Sequence, residues 1–131
     1  MGIGRDARKI SGGSRVLVRL MARDGFAVEE VPDGAAALAA LEREPSPLVL
    51  SDLRMPGMDG VELLRRVLAR WPETAVVVIT AVADVEVAVS CLSQGAMDYL
   101  TKPFHLEEVR ARVRQALEKR RLLVENRAYQ R

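Results

Sequence analysis

Apolar and polar positions follow two alternating patterns along most of this chain. Short runs that are β-branched or continuously apolar predict strands at residues 26–31, 48–51, 75–80 and 97–100. Between them, apolar residues at helical spacing predict helices at residues 33–42, 61–70 and 85–93, and from about Leu106 onward. Asp33 is placed to cap the first of these helices, and Gly95 suits a left-handed end of the third.

Strands that alternate with helices at this spacing form βαβ units, which place the strands in a parallel sheet with helices on both faces. The sequence therefore predicts an α/β fold, a doubly wound sheet of five parallel strands with an extended C-terminal helix. The polar residues in run 26–31 are typical of an edge strand, and run 48–51 is typical of a strand buried on both faces. The functional crevice of such sheets lies beyond the carboxyl ends of the strands, where Asp52, Thr80 and Lys102 stand.

The first 25 residues fit this pattern least well. Four apolar residues between Val16 and Met21 share a helical face, so we interpret residues 14–24 as the first helix, ending at Gly25. The strand before it is then degenerate or missing, and residues 1–13 are an atypical or poorly ordered N-terminus. The alternative places the strand at residues 15–18, which leaves only six residues before Gly25 for a helix.

Composition restricts the class of protein. The 131 residues are enough for one domain, and a content of 49% hydrophobic and 29% charged residues fits a globular chain. The net charge of +2 gives no argument for nucleic acid as a partner. Cys91 is the only cysteine, which excludes an intrachain disulfide. Because we find no signal peptide and no apolar run of membrane-spanning length, we expect a cytoplasmic protein without a membrane segment.

Several motifs, in the right order and spacing, make the chain similar to a known family. DLRMPGMDG begins at Asp52 after a buried strand, Thr80 ends the next strand within ITA, and DYLTKPF contains Tyr99 and Lys102. Over about residues 14–120 the chain resembles the receiver (CheY-like) domains of two-component response regulators. The resemblance implies a flavodoxin-like fold and a signalling domain rather than an enzyme.

The resemblance also implies roles for individual residues. Asp52 would be the phosphoacceptor, and Thr80 and Lys102 would contact the phosphoryl group, with a cis peptide bond after Lys102. Tyr99 would turn inward as Thr80 moves, which changes the surface of the fourth helix, fifth strand and fifth helix. Mg²⁺ would bind Asp52, the backbone carbonyl of Arg54 and two adjacent acidic residues after the first strand. The chemistry is sound on general grounds, because a carboxylate can attack phosphorus while cations neutralise the charge.

The acidic pair is absent from this sequence. Counting back from Gly25 at the family's spacing leads to Arg8 and Lys9, neither of which can bind a cation. The alternative strand is not followed by an acidic pair either. Asp6 is the only acid upstream of the first helix. Because a hard cation needs anionic oxygens, we expect weak Mg²⁺ binding, and a basic residue here could instead pair with Asp52.

Two functions therefore stay open. A working receiver would accept a phosphoryl group from a histidine kinase on Asp52, whereas a pseudo-receiver would be a phosphorylation-independent protein-interaction module. A flavin- or nucleotide-binding enzyme is disfavoured, because no glycine-rich phosphate loop follows any strand. We divide the chain into a receiver domain at residues 1–120 and a helical linker at residues 121–131. The linker would lead towards an output domain or partner, or pair two copies as a homodimer. Its lack of a recognition motif disfavours nucleic-acid binding.

Overall fold

The computed structural model describes residues 7–11, 15–55 and 57–129, and the side chains of residues 17–55 and 57–126. The strands are β1 (Ala7–Ser11), β2 (Ala27–Val31), β3 (Leu48–Asp52), β4 (Ala75–Ala81) and β5 (Asp98–Lys102). The helices are α1 (Arg15–Arg23), α2 (Gly34–Arg43), α3 (Gly60–Arg70), α4 (Val85–Ser93) and α5 (Leu106–Tyr129). The strands form one parallel sheet in the order β2-β1-β3-β4-β5. This is the predicted doubly wound α/β fold.

Two apolar cores lie on opposite faces of the sheet, because successive side chains of a strand point to opposite sides. In β3, Leu48 and Leu50 pack with residues of α1 and α5. Val49 packs on the other face with residues of α2, α3 and α4. Every residue of β3 is buried, as its apolar run predicts, whereas β2 lies at an edge of the sheet, as its polar residues predict.

The predicted helix boundaries rest on local chemistry that the structure confirms. Asp33 caps α2 by accepting a hydrogen bond from the Ala36 amide at 2.8 Å. Asp59 caps α3 in the same way through the Glu62 amide at 2.9 Å. Gly95 follows α4 with a φ of +111°, a conformation that L side chains rarely adopt. These contacts satisfy amides that the first turn of a helix otherwise leaves without partners.

The preferred interpretation of the N-terminal region is confirmed, with one correction. Residues 15–18 belong to α1, so the alternative strand there is wrong. The first strand is present rather than missing: β1 is hydrogen-bonded between β2 and β3, with Ser11 aligned to Ser51. Its sequence, ARKIS, has few apolar residues, and strand pairing rather than an apolar run defines it. Residues 1–6 and 12–14 lie outside the described residues.

The C-terminal helix is one continuous element of 24 residues. Val109, Val113 and Leu117 bury its first half against the sheet. Beyond them Leu122 is about half exposed, at 52%. The division between domain and linker near residue 120 stays a prediction, since the helix passes through that position without a break. None of the described helices is long and apolar enough to cross a membrane.

We expect Gly95→Ala to destabilise the fold more than Gly25→Ala. Both glycines have positive φ, which costs an alanine about 1–2 kcal/mol. A Cβ at Gly95 would also lie 2.6 Å from Cδ1 of Leu68, whereas a Cβ at Gly25 meets no atom within 4 Å. Urea unfolding should therefore give losses of about 3 kcal/mol and about 1–2 kcal/mol respectively. Equal losses would show that Leu68 moves aside at negligible cost.

Candidate functional site

The predicted site residues meet at the carboxyl ends of β3, β4 and β5. Asp52 is the last residue of β3 and is aligned with Ile79, while Lys102 ends β5 and is aligned with Ala81. Because these parallel strands end at one edge, the side chains that follow them share a crevice of about 190 Å³. Residues lining it include Asp52, Arg54, Thr80, Asp84 and Lys102. The structure thus brings together the three predicted catalytic residues.

Asp52 is a buried carboxylate beside the partly exposed ammonium of Lys102. The residue is 8% exposed, and its Oδ1 lies 3.3 Å from Nζ of Lys102. That distance permits an ion pair, but the contact lacks hydrogen-bond alignment, and this buried oxygen has no hydrogen-bond donor among the described residues. The Lys102 side chain is 49% exposed, so it keeps much of its hydration. The Lys102–Pro103 bond is cis, as the resemblance implied.

Burial raises the pKa of Asp52 above its ordinary value, and the neighbouring Lys102 ammonium lowers it without cancelling the shift. Desolvation penalises the charged form of a carboxyl group, which is why burial acts in this direction. An oxygen that is buried, acidic and short of donors is suited to gaining a new bond or a new cation partner. The arrangement fits a nucleophile better than a structural turn residue.

Thr80 and Tyr99 occupy the predicted region, and among the described residues neither forms a hydrogen bond with Asp52. Thr80 is 2% exposed, and its hydroxyl donates to the carbonyl of Ala81 at 3.0 Å. Tyr99 is half-buried against the core cluster on the α4 face of the sheet. The Arg112 guanidinium lies 5.9 Å from the centre of the Tyr99 ring. The switch roles of Thr80 and Tyr99 therefore remain predictions.

Receiver domains generally bind Mg²⁺, but the residues here do not fit the two-acid site that the resemblance implies. Arg8 and Lys9 lie inside β1, paired with Leu48 and Val49, rather than after its end. Their predicted position after the first strand is therefore wrong: counting back from Gly25 placed that position too near the N-terminus, whereas strand pairing fixes the register directly. The chain after β1 continues with glycines, and residues 7–17 contain no acid. The described residues contain no cluster of three metal-ligating side chains. The side chains of Arg8 and Lys9, like Asp6, lie outside the described part.

Sequence analysis missed how closely Gly60 approaches Asp52. A Cβ at Gly60 would lie 2.5 Å from the carbonyl oxygen of Asp52 and 2.7 Å from Cα of Leu53. The Gly60 amide also donates to the Leu53 carbonyl at 2.7 Å. The first residue of α3 is thus packed directly on the backbone of the site. Its place in the DLRMPGMDG motif was the available signal.

The Arg54 side chain was also missed, because only its carbonyl was considered. Its Nε and Nη2 donate to the two carboxylate oxygens of Asp84, each at 2.7 Å. The pairing lowers the pKa of Asp84 below its ordinary value. Asp84 belongs to a short 3-10 turn (Val82–Asp84) between β4 and α4. No sequence signal links two residues that are 30 positions apart.

A larger cleft of about 810 Å³ lies near the amino ends of β3 and β4, at the end of the sheet away from Asp52. Residues that line it include Pro45, Pro47, Trp71 and Arg120. The hydroxyls of Ser46 and Thr74, which also line it, donate to the backbone carbonyls of Leu48 at 2.9 Å and Ser46 at 3.3 Å, which is a structural use of both groups. Size alone does not identify a site, so we assign the chemistry to the smaller crevice.

Comparison with known proteins agrees with this geometry. A family model described as the response regulator receiver domain matches residues 13–114. The chain belongs to the response regulator receiver family. The predicted CheY-like family and fold are therefore confirmed.

Curated relatives of this receiver domain are longer regulators. It is 40% identical over 107 residues to the C4-dicarboxylate transport transcriptional regulatory protein DctD of Rhizobium meliloti, covering 82% of this chain and 23% of that protein. It is 43% identical over 102 residues to the DNA-binding transcriptional regulator NtrC of Escherichia coli, covering 78% and 22%. The chain thus spans less than a quarter of either relative. The solved structure of NtrX from Brucella abortus matches with a TM-score of 0.87 and 27% identity over 92% of this chain and 29% of that one.

Replacing Asp52 by asparagine should stabilise the receiver domain at neutral pH. The raised pKa means that the folded state binds a proton more tightly than the unfolded state. Wild-type stability should therefore fall, relative to Asp52→Asn, as pH rises from the ordinary Asp pKa through the raised one. Above that window the difference should be constant, on the order of 1 kcal/mol. Thermal unfolding of both proteins between pH 3 and 8 measures it, and a stability difference that does not change with pH would contradict the assigned cause.

Gly60→Ala should disturb the site and the fold together. The added methyl group would overlap the Asp52 carbonyl, and backbone cannot move aside as easily as a side chain. We expect a loss of about 2–3 kcal/mol in the free energy of unfolding, measured with urea. Gly57→Ala is the matched control in the same loop, because its Cβ meets no atom within 4 Å and only its φ of +75° is strained. A smaller loss for Gly60→Ala than for Gly57→Ala would contradict the close approach.

Proposed function

We propose that this receiver domain accepts a phosphoryl group on Asp52 from a histidine kinase. The observation that carries the proposal is the buried Asp52 carboxylate, with an oxygen that lacks a hydrogen-bond donor and lies 3.3 Å from the Lys102 ammonium. The product is an acyl phosphate, and the crevice in front of Asp52 offers open space for it. The domain is a signalling module in this proposal rather than an enzyme with its own substrate.

The transfer step uses groups that this chain supplies. A carboxylate oxygen of Asp52 forms a bond to phosphorus, and the phosphorus–nitrogen bond to the kinase histidine breaks. The electron pair of that bond stays on the imidazole, which takes up a proton from solvent. The Lys102 ammonium neutralises charge on the transferring oxygens, as a compact point charge can. Thr80 would donate its hydroxyl to the phosphoryl group after leaving the Ala81 carbonyl.

The signal would leave through the surface of α4, β5 and α5. Three apolar side chains of α4 are unusually exposed: Val87 at 44%, Val89 at 49% and Leu92 at 38%. Val89 and Leu92 are three residues apart and lie on the same side of α4, so these two side chains offer a small apolar contact surface. Tyr99 of β5 lies beside this helix and would turn inward as Thr80 moves. That rearrangement would change which apolar atoms a partner meets.

The proposed partners follow from this chemistry and from the relatives. A histidine kinase supplies the phosphoryl group, which implies a cytoplasmic location. DctD and NtrC are named as transcriptional regulators, which supports an output domain or a partner protein reached through the continuation of α5. The half-exposed Leu122 in that segment supports pairing of two copies as a homodimer. We do not propose nucleic acid or membrane as a partner of this domain.

One observation favours a second candidate function. Residues 7–17 supply no acidic side chain, so a divalent cation would have Asp52 as its only described anionic ligand on this side of the crevice. A receiver that had lost efficient phosphorylation would remain a phosphorylation-independent protein-interaction module. The exposed face of α4 would serve that function equally well. The two candidates differ in whether Asp52 gains a phosphoryl group.

Incubation with acetyl phosphate, followed by intact-mass measurement, decides between them. We expect a mass gain of one phosphoryl group, abolished by Asp52→Asn. Lys102→Met should lower the yield about tenfold or more, because it removes the cation beside the reacting oxygen. Lys119→Met, in an exposed part of α5, is the matched control and should react as the wild type does.

Each other outcome has a defined meaning. A folded wild-type sample that gains no mass, with Mg²⁺ or with EDTA, would support the pseudo-receiver. A mass gain that persists in Asp52→Asn would show that another residue is the acceptor.

A further inference from the structure

Asp84 occupies the helix-capping position of α4 but does not cap the helix. The two capping aspartates of this chain, Asp33 and Asp59, have extended backbones with ψ of 178° and 175°, and each accepts the amide three residues later. Asp84 precedes α4 with a ψ of 15° and makes no side-chain capping bond. Its carboxylate is held instead by the two hydrogen bonds from Arg54. Aspartate is among the residues that cap helices most strongly, so Asp84 could form this bond if Arg54 did not hold its carboxylate.

Arg54 lies where a second cation is needed. A phosphoryl group on Asp52 brings up to two negative charges into the crevice, and Lys102 supplies one positive charge. The usual acidic pair for a metal is absent, as described above. Arg54 is the other cationic side chain that lines this crevice among the described residues. Its planar guanidinium matches a phosphate in a two-bond arrangement better than an ammonium does.

The two partners of this ion pair differ in exposure. The Arg54 side chain is 81% exposed, whereas the Asp84 side chain is 15% exposed, so a guanidinium that leaves Asp84 stays in water, and the Asp84 carboxylate then needs another hydrogen-bond donor. A phosphoryl group carries more charge than the Asp84 carboxylate, and it would form on a residue two positions before Arg54. Competition for the guanidinium therefore favours the phosphoryl group.

We propose that Arg54 binds the phosphoryl group on Asp52 in place of the family's metal ion, and that Asp84, once released, caps α4. This inference rests on the proposed function, since it requires a phosphoryl group on Asp52. Capping needs Asp84 to become extended, as Asp33 and Asp59 are, so the 3-10 turn Val82–Asp84 must unwind. The Val87 amide, three residues later, would become the donor. This exchange of the Arg54 partner from Asp84 to the phosphoryl group connects Asp52 to the first turn of α4, a helix with exposed apolar side chains.

The capping of α4 by a released Asp84 can be tested without phosphorylation. Arg54→Met removes the guanidinium and should free Asp84 in the unmodified protein. We expect the Asp84 ¹³Cα and ¹³Cβ shifts to move towards those of Asp33 and Asp59, and exchange of the Val87 amide to slow roughly fivefold. Arg65→Met is the matched control, because Arg65 is an exposed arginine paired with Glu62 away from the crevice. Unchanged Asp84 shifts in Arg54→Met would overturn the capping.

The binding of the phosphoryl group by Arg54 is tested with acetyl phosphate in the presence of EDTA. An Asp52 oxygen bonds to phosphorus, the phosphorus–oxygen bond to the acetyl group breaks, and acetate leaves with the electron pair. We expect the wild type and Arg65→Met to gain a phosphoryl group, and Arg54→Met to gain it about tenfold more slowly. Added Mg²⁺ should change the wild-type rate little.

The outcomes separate this inference from the proposed function. Equal rates for the wild type and Arg54→Met would overturn the role of Arg54 while phosphorylation of Asp52 stands. A wild type that reacts only with Mg²⁺ would likewise show that a metal, not Arg54, neutralises the charge. No reaction of the wild type under either condition would overturn both the proposed function and phosphoryl binding by Arg54.

Discussion

The parallel pairing of β3, β4 and β5 is the constraint on which the site depends. Asp52 and Lys102 are 50 residues apart in sequence, and their alignment with Ile79 and Ala81 of β4 brings them to the same edge of the sheet. A shift of one residue would exchange the faces to which the side chains of a strand point. The same shift would exchange the apolar residues of β3 between the two cores, so neither core would keep its packing. The packing that stabilises the sheet therefore also fixes the geometry of the crevice.

That constraint places a charge where it is costly. Asp52 is 8% exposed at the end of a strand whose other residues are fully buried, and the Lys102 side chain beside it is half in water. Gly60 packs on the backbone of Asp52, which couples the start of α3 to the site. The site is thus closely packed on the side of β3 and α3. It is open on the side of Arg54, whose side chain is 81% exposed.

Asp33, Asp59 and Asp84 show how one residue type takes different roles within one chain. Asp33 and Asp59 make no ion pair among the described residues, and both cap a helix. Asp84 faces Arg54 across the crevice and is held in an ion pair. All three precede the first turn of a helix, and only Asp84 is held away from capping by a residue that is distant in sequence. Such a residue is a natural point for a fold to respond to added charge.

Local chemistry in the sequence determined the elements of this protein. Apolar periodicity and local signals such as the capping residue Asp33 located five helices and four strands to within about two residues, because these signals act over three or four neighbouring positions. The strand ends predicted that Asp52, Thr80 and Lys102 converge, and the motifs predicted the family. What the sequence could not determine were features created by distant parts of the chain. The polar strand β1 is defined by its pairing with β2 and β3. Arg8 and Lys9 were predicted to follow this strand but lie inside it, because its register depends on that pairing and not on a count along the chain. The contacts of Gly60 and Asp84 form only when the chain folds. Tertiary structure decides these features because hydrogen bonding across strands and packing between loops do not depend on separation along the chain.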